Sequence, residues 1–146
     1  VVDFATWQQL AREMAALPLL FNAPLSERHA TQLIDDLHLR EKSQILDLGC
    51  GWGELLLRAL TTMPEATGVG VDHDLAAVGR ARAAALERNL LQSVTFVCAD
   101  LLAYSNRPAD VVFAIGIGHT TPDPRHTLTI IRDRLLPGGS VLYADG

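Results

Sequence analysis

A doubly wound, mainly parallel α/β sheet is the fold class expected of these 146 residues, and three observations point to it. From Ile45 onward, short apolar runs alternate with helix-patterned segments. The runs are apolar throughout rather than alternately apolar and polar, as strands are when both sheet faces are covered. The first run, Ile45-Leu46 with Leu48 beyond Asp47, breaks into three glycines spaced two apart, Gly49, Gly51 and Gly53, before a helix pattern begins at Glu54. Strand, bare loop and helix together plan a nucleotide cradle. Glycine permits φ > 0 and lets a ligand approach the main chain, while the helix N-terminus offers unpaired N–H groups.

Before that unit, Thr6 and Gln9 suit a capping box, and Trp7, Leu10, Ala11, Met14 and Leu17 recur at helical spacing until Pro18. Ser26 is expected to cap a second helix with Ala30, Leu33, Ile34 and Leu37 inward. Residues 1–43 thus read as a helical cover and residues 44–146 as the binding core of one domain. After the glycine loop, Leu55, Leu56, Ala59 and Leu60 make the buried stripe of a helix ending near Met63-Pro64. Gly68 to Val71 is a second strand ending in Asp72. Asp74 caps a helix through Val78, Ala81, Ala85 and Leu86 towards Asn89. Val94 to Cys98 is a third strand with Asp100 beyond it, and Ala109 to Ile115 a fourth, followed by the loop Gly116 to Thr121. Asp123 and Pro124 start the last helix as cap and first residue, with Leu128, Ile131 and Leu135 inward. Pro137-Gly138-Gly139 then turns into a fifth strand, Ser140 to Ala144. Right-handed crossovers place the strand C-termini on one edge, where ligands of such sheets bind.

With 49% hydrophobic residues the chain can bury a core, and a formal net charge of −5 argues against a primary role on nucleic acid. No run reaches the roughly 18 apolar residues of a membrane span, and the N-terminus lacks a signal-peptide layout, so a cytoplasmic protein with no membrane partner is expected. Cys50 and Cys98 show neither zinc spacing nor a disulfide framework, which fits reduced thiols.

The motif LDLGCGWGE resembles motif I of class I S-adenosylmethionine-dependent methyltransferases. The resemblance runs from about Ile45 to Ala144 through GVD ending strand two, VCAD ending strand three, ADVVFAIG as strand four and LLPGGSVLY leading into strand five. It implies a Rossmann-like methyltransferase fold that binds S-adenosylmethionine and yields S-adenosylhomocysteine. Asp72 lies 19 residues after Gly53, near the interval of about 20 at which an acid meets ribose hydroxyls. By resemblance, Asp100 accepts from the adenine amine with the Leu101 backbone beside the ring. Gly49, Cys50, Gly51 and Gly53 lie along the methionine and ribose portions, and Asp47 places the tail's ammonium. His73 or Asp74 could border the adenine face, against the plainer readings of a loop histidine and a surface cap, and Gly116, at the end of strand four, is a further cofactor-binding candidate. His119, just past strand four, is the candidate base for a hydroxyl or amine acceptor.

A nicotinamide-linked oxidoreductase is the rival nucleotide reading. Its fingerprint wants a small residue at position 54, where Glu54 stands, and a carboxylate at that helix mouth would repel a pyrophosphate. A non-catalytic S-adenosylmethionine-binding or assembly module is the other alternative. No metal is expected, since Asp123 between His119 and His126 is explained as a cap. Arg80, Arg82 and Arg88 read as a solvated helix face and Trp52 as packing at the loop shoulder. Strand four lacks the N/D-P-P-Y signature of methylases acting on base amines in nucleic acids, leaving a small-molecule substrate. The two further strands usual in this family are missing after strand five, as expected of a truncated chain or gene fragment; the alternative is that a partner, a swapped element or self-association covers the apolar edge that strand five would present.

Overall fold

The computed structural model describes residue 21 and residues 25–105 and 107–144; the helix expected between residues 6 and 17 lies outside them. Its elements follow the expected alternation: α1 (Glu27–Asp36), β1 (Gln44–Leu48), α2 (Glu54–Thr62), β2 (Thr67–Asp72), α3 (Leu75–Glu87), β3 (Val94–Cys98), β4 (Ala109–Ile115), α4 (Pro124–Asp133) and β5 (Leu135–Ala144). The five strands form one parallel sheet in the order β3-β2-β1-β4-β5. This reversal between β1 and β4 makes the sheet doubly wound and sets a topological switch point beside the glycine loop.

Both faces of the central strands are apolar because each meets its own cluster. Along β4, Val111 and Phe113 join Ile45, Leu56, Leu60, Val78, Ala81 and Phe96 on one face. Val112 and Ala114 join Leu46, Leu48, Val71, Ile130 and Ile131 on the other. The period of two along each strand therefore divides one apolar run between two cores. At the edges this breaks down: Thr95 and Val141 are exposed.

The caps explain where helices start. Ser26 accepts from the His29 amide, the Asp74 carboxylate from Ala76 and Ala77, and Asp123 from His126. Three inward expectations are corrected. Leu86 is 62% exposed and Leu128 50% exposed. The stripe of α4 is Thr127, Ile130 and Ile131, so Leu128 lies one residue, or about 100°, off the buried face. Leu135 has left the helix and opens β5, whose register shifts between Ala109 and Val111 to absorb Pro137 to Gly139. Conversely, Leu57 is fully buried although it fell outside the expected stripe.

The arginines of α3 do more than face solvent. Arg82 donates to the Phe96 carbonyl at 2.7 and 3.2 Å, binding α3 to β3. Arg80 stacks 3.7 Å from the Trp52 ring centroid, which places Trp52 at the loop shoulder. Arg88, with Arg58, grips Glu54 at 2.5 and 2.7 Å.

Candidate functional site

Parallel strands leave their last carbonyls and the loops beyond them on one edge, and the glycine loop folds over that edge. Gly49 and Cys50 donate their amides to the Val71 carbonyl at 2.8 and 3.0 Å, tying the end of β1 to the end of β2. Gly49 and Gly53 have φ near +70°, a region costly for any residue with a Cβ. Space also excludes side chains there. A Cβ on Gly49 would sit 2.5 Å from Cγ2 of Ile117, and one on Gly53 would sit 2.5 Å from the Phe96 ring. Core packing by itself therefore requires glycine at position 53.

Asp72 closes β2 and is only 9% exposed. Its Oδ2 accepts from the Gly51 amide at 2.8 Å and its Oδ1 from the Asp74 amide at 2.9 Å, so the carboxylate is held in one orientation with lone pairs to spare. His73 Nδ1 lies 3.6 Å from Oδ1. Asp100, beyond β3, accepts from the Leu102 amide at 2.8 Å through Oδ1, a local turn that fixes its rotamer. Beyond β4, Gly116 has φ +70° and leads into a single 3₁₀ turn, Gly118–Thr120, which carries His119.

A cavity of about 470 Å³ joins these pieces; it is lined by Gly49, Asp72, His73, Asp100, Leu101, Leu102, Gly116, Ile117, His119 and Thr120. Seven of the expected site residues meet there: Gly49, Asp72, His73, Asp100, Leu101, Gly116 and His119. Asp47, Cys50, Gly51 and Gly53 do not line it. The Cys50 side chain packs against the core, and burial, ahead of the charges of Asp47 and Asp72, pushes its thiol up and keeps it inert. Asp47 sits one strand inward. Because Asp47 pairs with Gly70 in register, it shares a sheet face with Asp72, two residues further along β2. It is 5% exposed, and burial first, then the Asp72 charge, raises its carboxyl to about 7.

Leu102, Ile117 and Thr120 were missed as lining residues. An apolar side chain between Gly116 and Gly118 in a strand-end loop was the available signal for Ile117, which the fold buries against β1 and β4.

Glu54 does not face this cavity. Its carboxylate lines a separate cleft between α1 and α2, where Arg58 and Arg88 neutralise it. The charge of Glu54 is therefore no argument against a pyrophosphate. The cavity itself supplies one: among its described lining residues are two carboxylates and neither Lys nor Arg. Among the described residues, no three His, Cys, Asp or Glu gather as metal ligands, and no helix is long and apolar enough to cross a membrane.

A family model described as methyltransferase domain matches residues 45–139. The 27-O-demethylrifamycin SV methyltransferase of Amycolatopsis mediterranei is 32% identical over 125 residues, covering 82% of this chain and 46% of that protein. A tRNA (guanine-N(7)-)-methyltransferase of Rubrobacter xylanophilus is 46% identical over 55 residues, covering 38% of this chain and 24% of the other. Among solved structures, a methyltransferase from Geobacter sulfurreducens in complex with S-adenosyl-L-homocysteine superposes with a TM-score of 0.79 at 25% identity, over 92% of this chain and 53% of that one. The chain spans less than half the length of the first curated relatives it matches. With the family model covering the whole strand-edge site, the chain belongs to the class I S-adenosylmethionine-dependent methyltransferase family.

Proposed function

We propose that the chain binds S-adenosylmethionine along the C-terminal edge of its sheet and serves transfer of the methyl group to a small-molecule acceptor. The observation that carries this reading is the order of groups in the cavity. With strands arranged β3-β2-β1-β4, Asp100, Asp72, Gly49 and Gly116 follow one another along the edge. An elongated ligand laid there meets a carboxylate for the adenine amine, a carboxylate for the ribose diol, a bare loop for the methionine portion, and lastly the 3₁₀ turn with His119.

The chemistry of the donors fits. Asp72 has free lone pairs for two hydroxyls, and Asp47, unfavourably placed as an anion, is relieved by a nearby ammonium. A cavity of about 470 Å³ is within the roughly 300–1,000 Å³ of small-molecule sites. When bound, S-adenosylmethionine supplies an electrophilic methyl on a sulfonium, displaced in line as a neutral thioether leaves. The chain's part is to hold the acceptor and the methyl in line and to exclude water, which the apolar walls Leu101, Leu102 and Ile117 support. His119, on the rim nearest β4, is positioned to take a proton from a hydroxyl or amine acceptor. A small acceptor is favoured by the net charge of −5 and by the rifamycin-modifying relative, whose match covers far more of this chain than the tRNA-modifying one.

The test is a thermal-shift and calorimetric comparison of S-adenosylhomocysteine with NADP(H), followed by transfer of radiolabelled methyl from S-adenosylmethionine to small-molecule, tRNA and protein acceptors. Stabilisation by S-adenosylhomocysteine alone, with label in a small molecule, is expected. Stabilisation by NADP(H) alone would reject the cofactor; label entering tRNA or protein would reject the acceptor class.

A further inference from the structure

Arg134 ends α4 on the far side of the loop that carries Asp100. Its guanidinium does not meet any carboxylate among the described residues. Nη2 instead donates to the carbonyls of Leu101 at 3.0 Å and Tyr104 at 2.9 Å, while Nη1 donates to the Ile130 carbonyl at 3.2 Å. One side chain thereby fastens both ends of the turn after β3 to the last turn of α4. The same turn is closed from within: the Tyr104 amide donates to the Asp100 carbonyl at 2.9 Å, and the Leu102 amide to Oδ1 of Asp100 at 2.8 Å.

Nε of Arg134 is buried without a partner, so the arrangement carries the cost of an unmet N–H in exchange for these three carbonyl contacts. A planar fork is what the geometry needs, because a lysine ammonium cannot span the Ile130 carbonyl and both loop carbonyls at once. The residues so held are those that form the β3 end of the cavity, Asp100, Leu101 and Leu102.

We infer, resting on the ligand proposed above, that Arg134 is a positioning residue that sets the Asp100 carboxylate to recognise the exocyclic amine of the adenine, and so sets discrimination between 6-amino and 6-oxo purine ligands. Oδ1 is committed to the Leu102 amide, which leaves Oδ2 to accept from an amine and to repel a 6-oxo group.

The test compares binding of S-adenosylhomocysteine and S-inosylhomocysteine by the wild type, Arg134→Lys, Asp100→Ala and the double variant, with thermal unfolding recorded for each. Wild type is expected to prefer the adenine ligand at least tenfold. Arg134→Lys should bring that preference close to one by weakening the adenine ligand alone, and the double variant should lose no more than Asp100→Ala does. Equal weakening of both ligands by Arg134→Lys, or losses that add in the double variant, would reduce Arg134 to a structural brace and overturn the inference. If the variant does not fold, NMR of the Arg134 guanidinium in the unliganded wild type decides. Distinct, slowly exchanging Hη signals are expected from its bonds to the Leu101, Tyr104 and Ile130 carbonyls, and averaged, freely exchanging Hη signals would overturn the clamp. A wild type that binds neither ligand overturns the cofactor reading itself, an outcome distinct from the failure of Arg134→Lys in a chain that binds.

Discussion

Burial of Asp47 puts a cost on its charge that pH turns on and off. In the unfolded chain its carboxyl ionises near 3.8, and in the folded chain near about 7. Between those values the folded chain holds the proton that the unfolded chain has released, so stability falls as pH rises through that window. Above about 7 the full cost is present, on the order of a few kcal/mol. Asp47→Asn should therefore raise the unfolding free energy at pH 8, and the gain should vanish near pH 3, where both chains are neutral at this position; a melting series against pH checks it. Asp72 matters through its hydrogen bonds. Both its oxygens are engaged by backbone amides, and Asp72→Ala would leave the amides of Gly51 and Asp74 without their acceptor while removing the proposed ribose contact. A charged hydrogen bond contributes about 1.5–3 kcal/mol, so S-adenosylhomocysteine affinity should drop roughly 10- to 100-fold or more, read by calorimetry.

At the level of elements, the strand-to-helix joint is held by packing of glycine against an aromatic ring. Gly53 lies under Phe96, with φ of +71°. Gly53→Ala adds both a left-handed backbone cost of about 1–2 kcal/mol and a steric conflict, and should lower the denaturant midpoint without changing the slope. Helix α2 is joined to α3 through Glu54, whose carboxylate is gripped by Arg58 from its own helix and by Arg88 from the end of α3. Because Arg88 is about a third exposed and Arg58 remains, Arg88→Ala should cost about 1–2 kcal/mol rather than the larger sum of a fully buried pair, measured by urea unfolding. The elements themselves were legible in the sequence. Capping residues Ser26, Asp74 and Asp123 and the apolar runs mark local preferences that the neighbours do not overrule. Leu86 and Leu128 were misread because spacing identifies a stripe only to within a residue, and which flank of it is covered depends on the partner element.

Across the whole molecule, a ligand in the proposed site touches the ends of four adjacent strands, so its binding energy adds to the stability of the sheet as one unit. At 100 times its dissociation constant S-adenosylhomocysteine should add about 2.7 kcal/mol, a rise of roughly 5–10 °C in Tm for a chain of this size. The sequence by itself determined the parallel α/β class, the switch-point loop and the placing of Asp72, Asp100, Gly116 and His119 near one edge, since strand-loop-helix alternation and crossover handedness leave few other arrangements. Tertiary structure alone decided the partners of charged groups far apart in the chain. Glu54 turns away to meet Arg88 across 34 positions, Arg134 reaches back 33 positions to Leu101, and Asp47 lies buried beside β2 while Asp72 opens into the cavity. Local pattern fixes which element a residue belongs to, because backbone geometry is set by near neighbours. Which side chain a charge finds is set by how the elements pack.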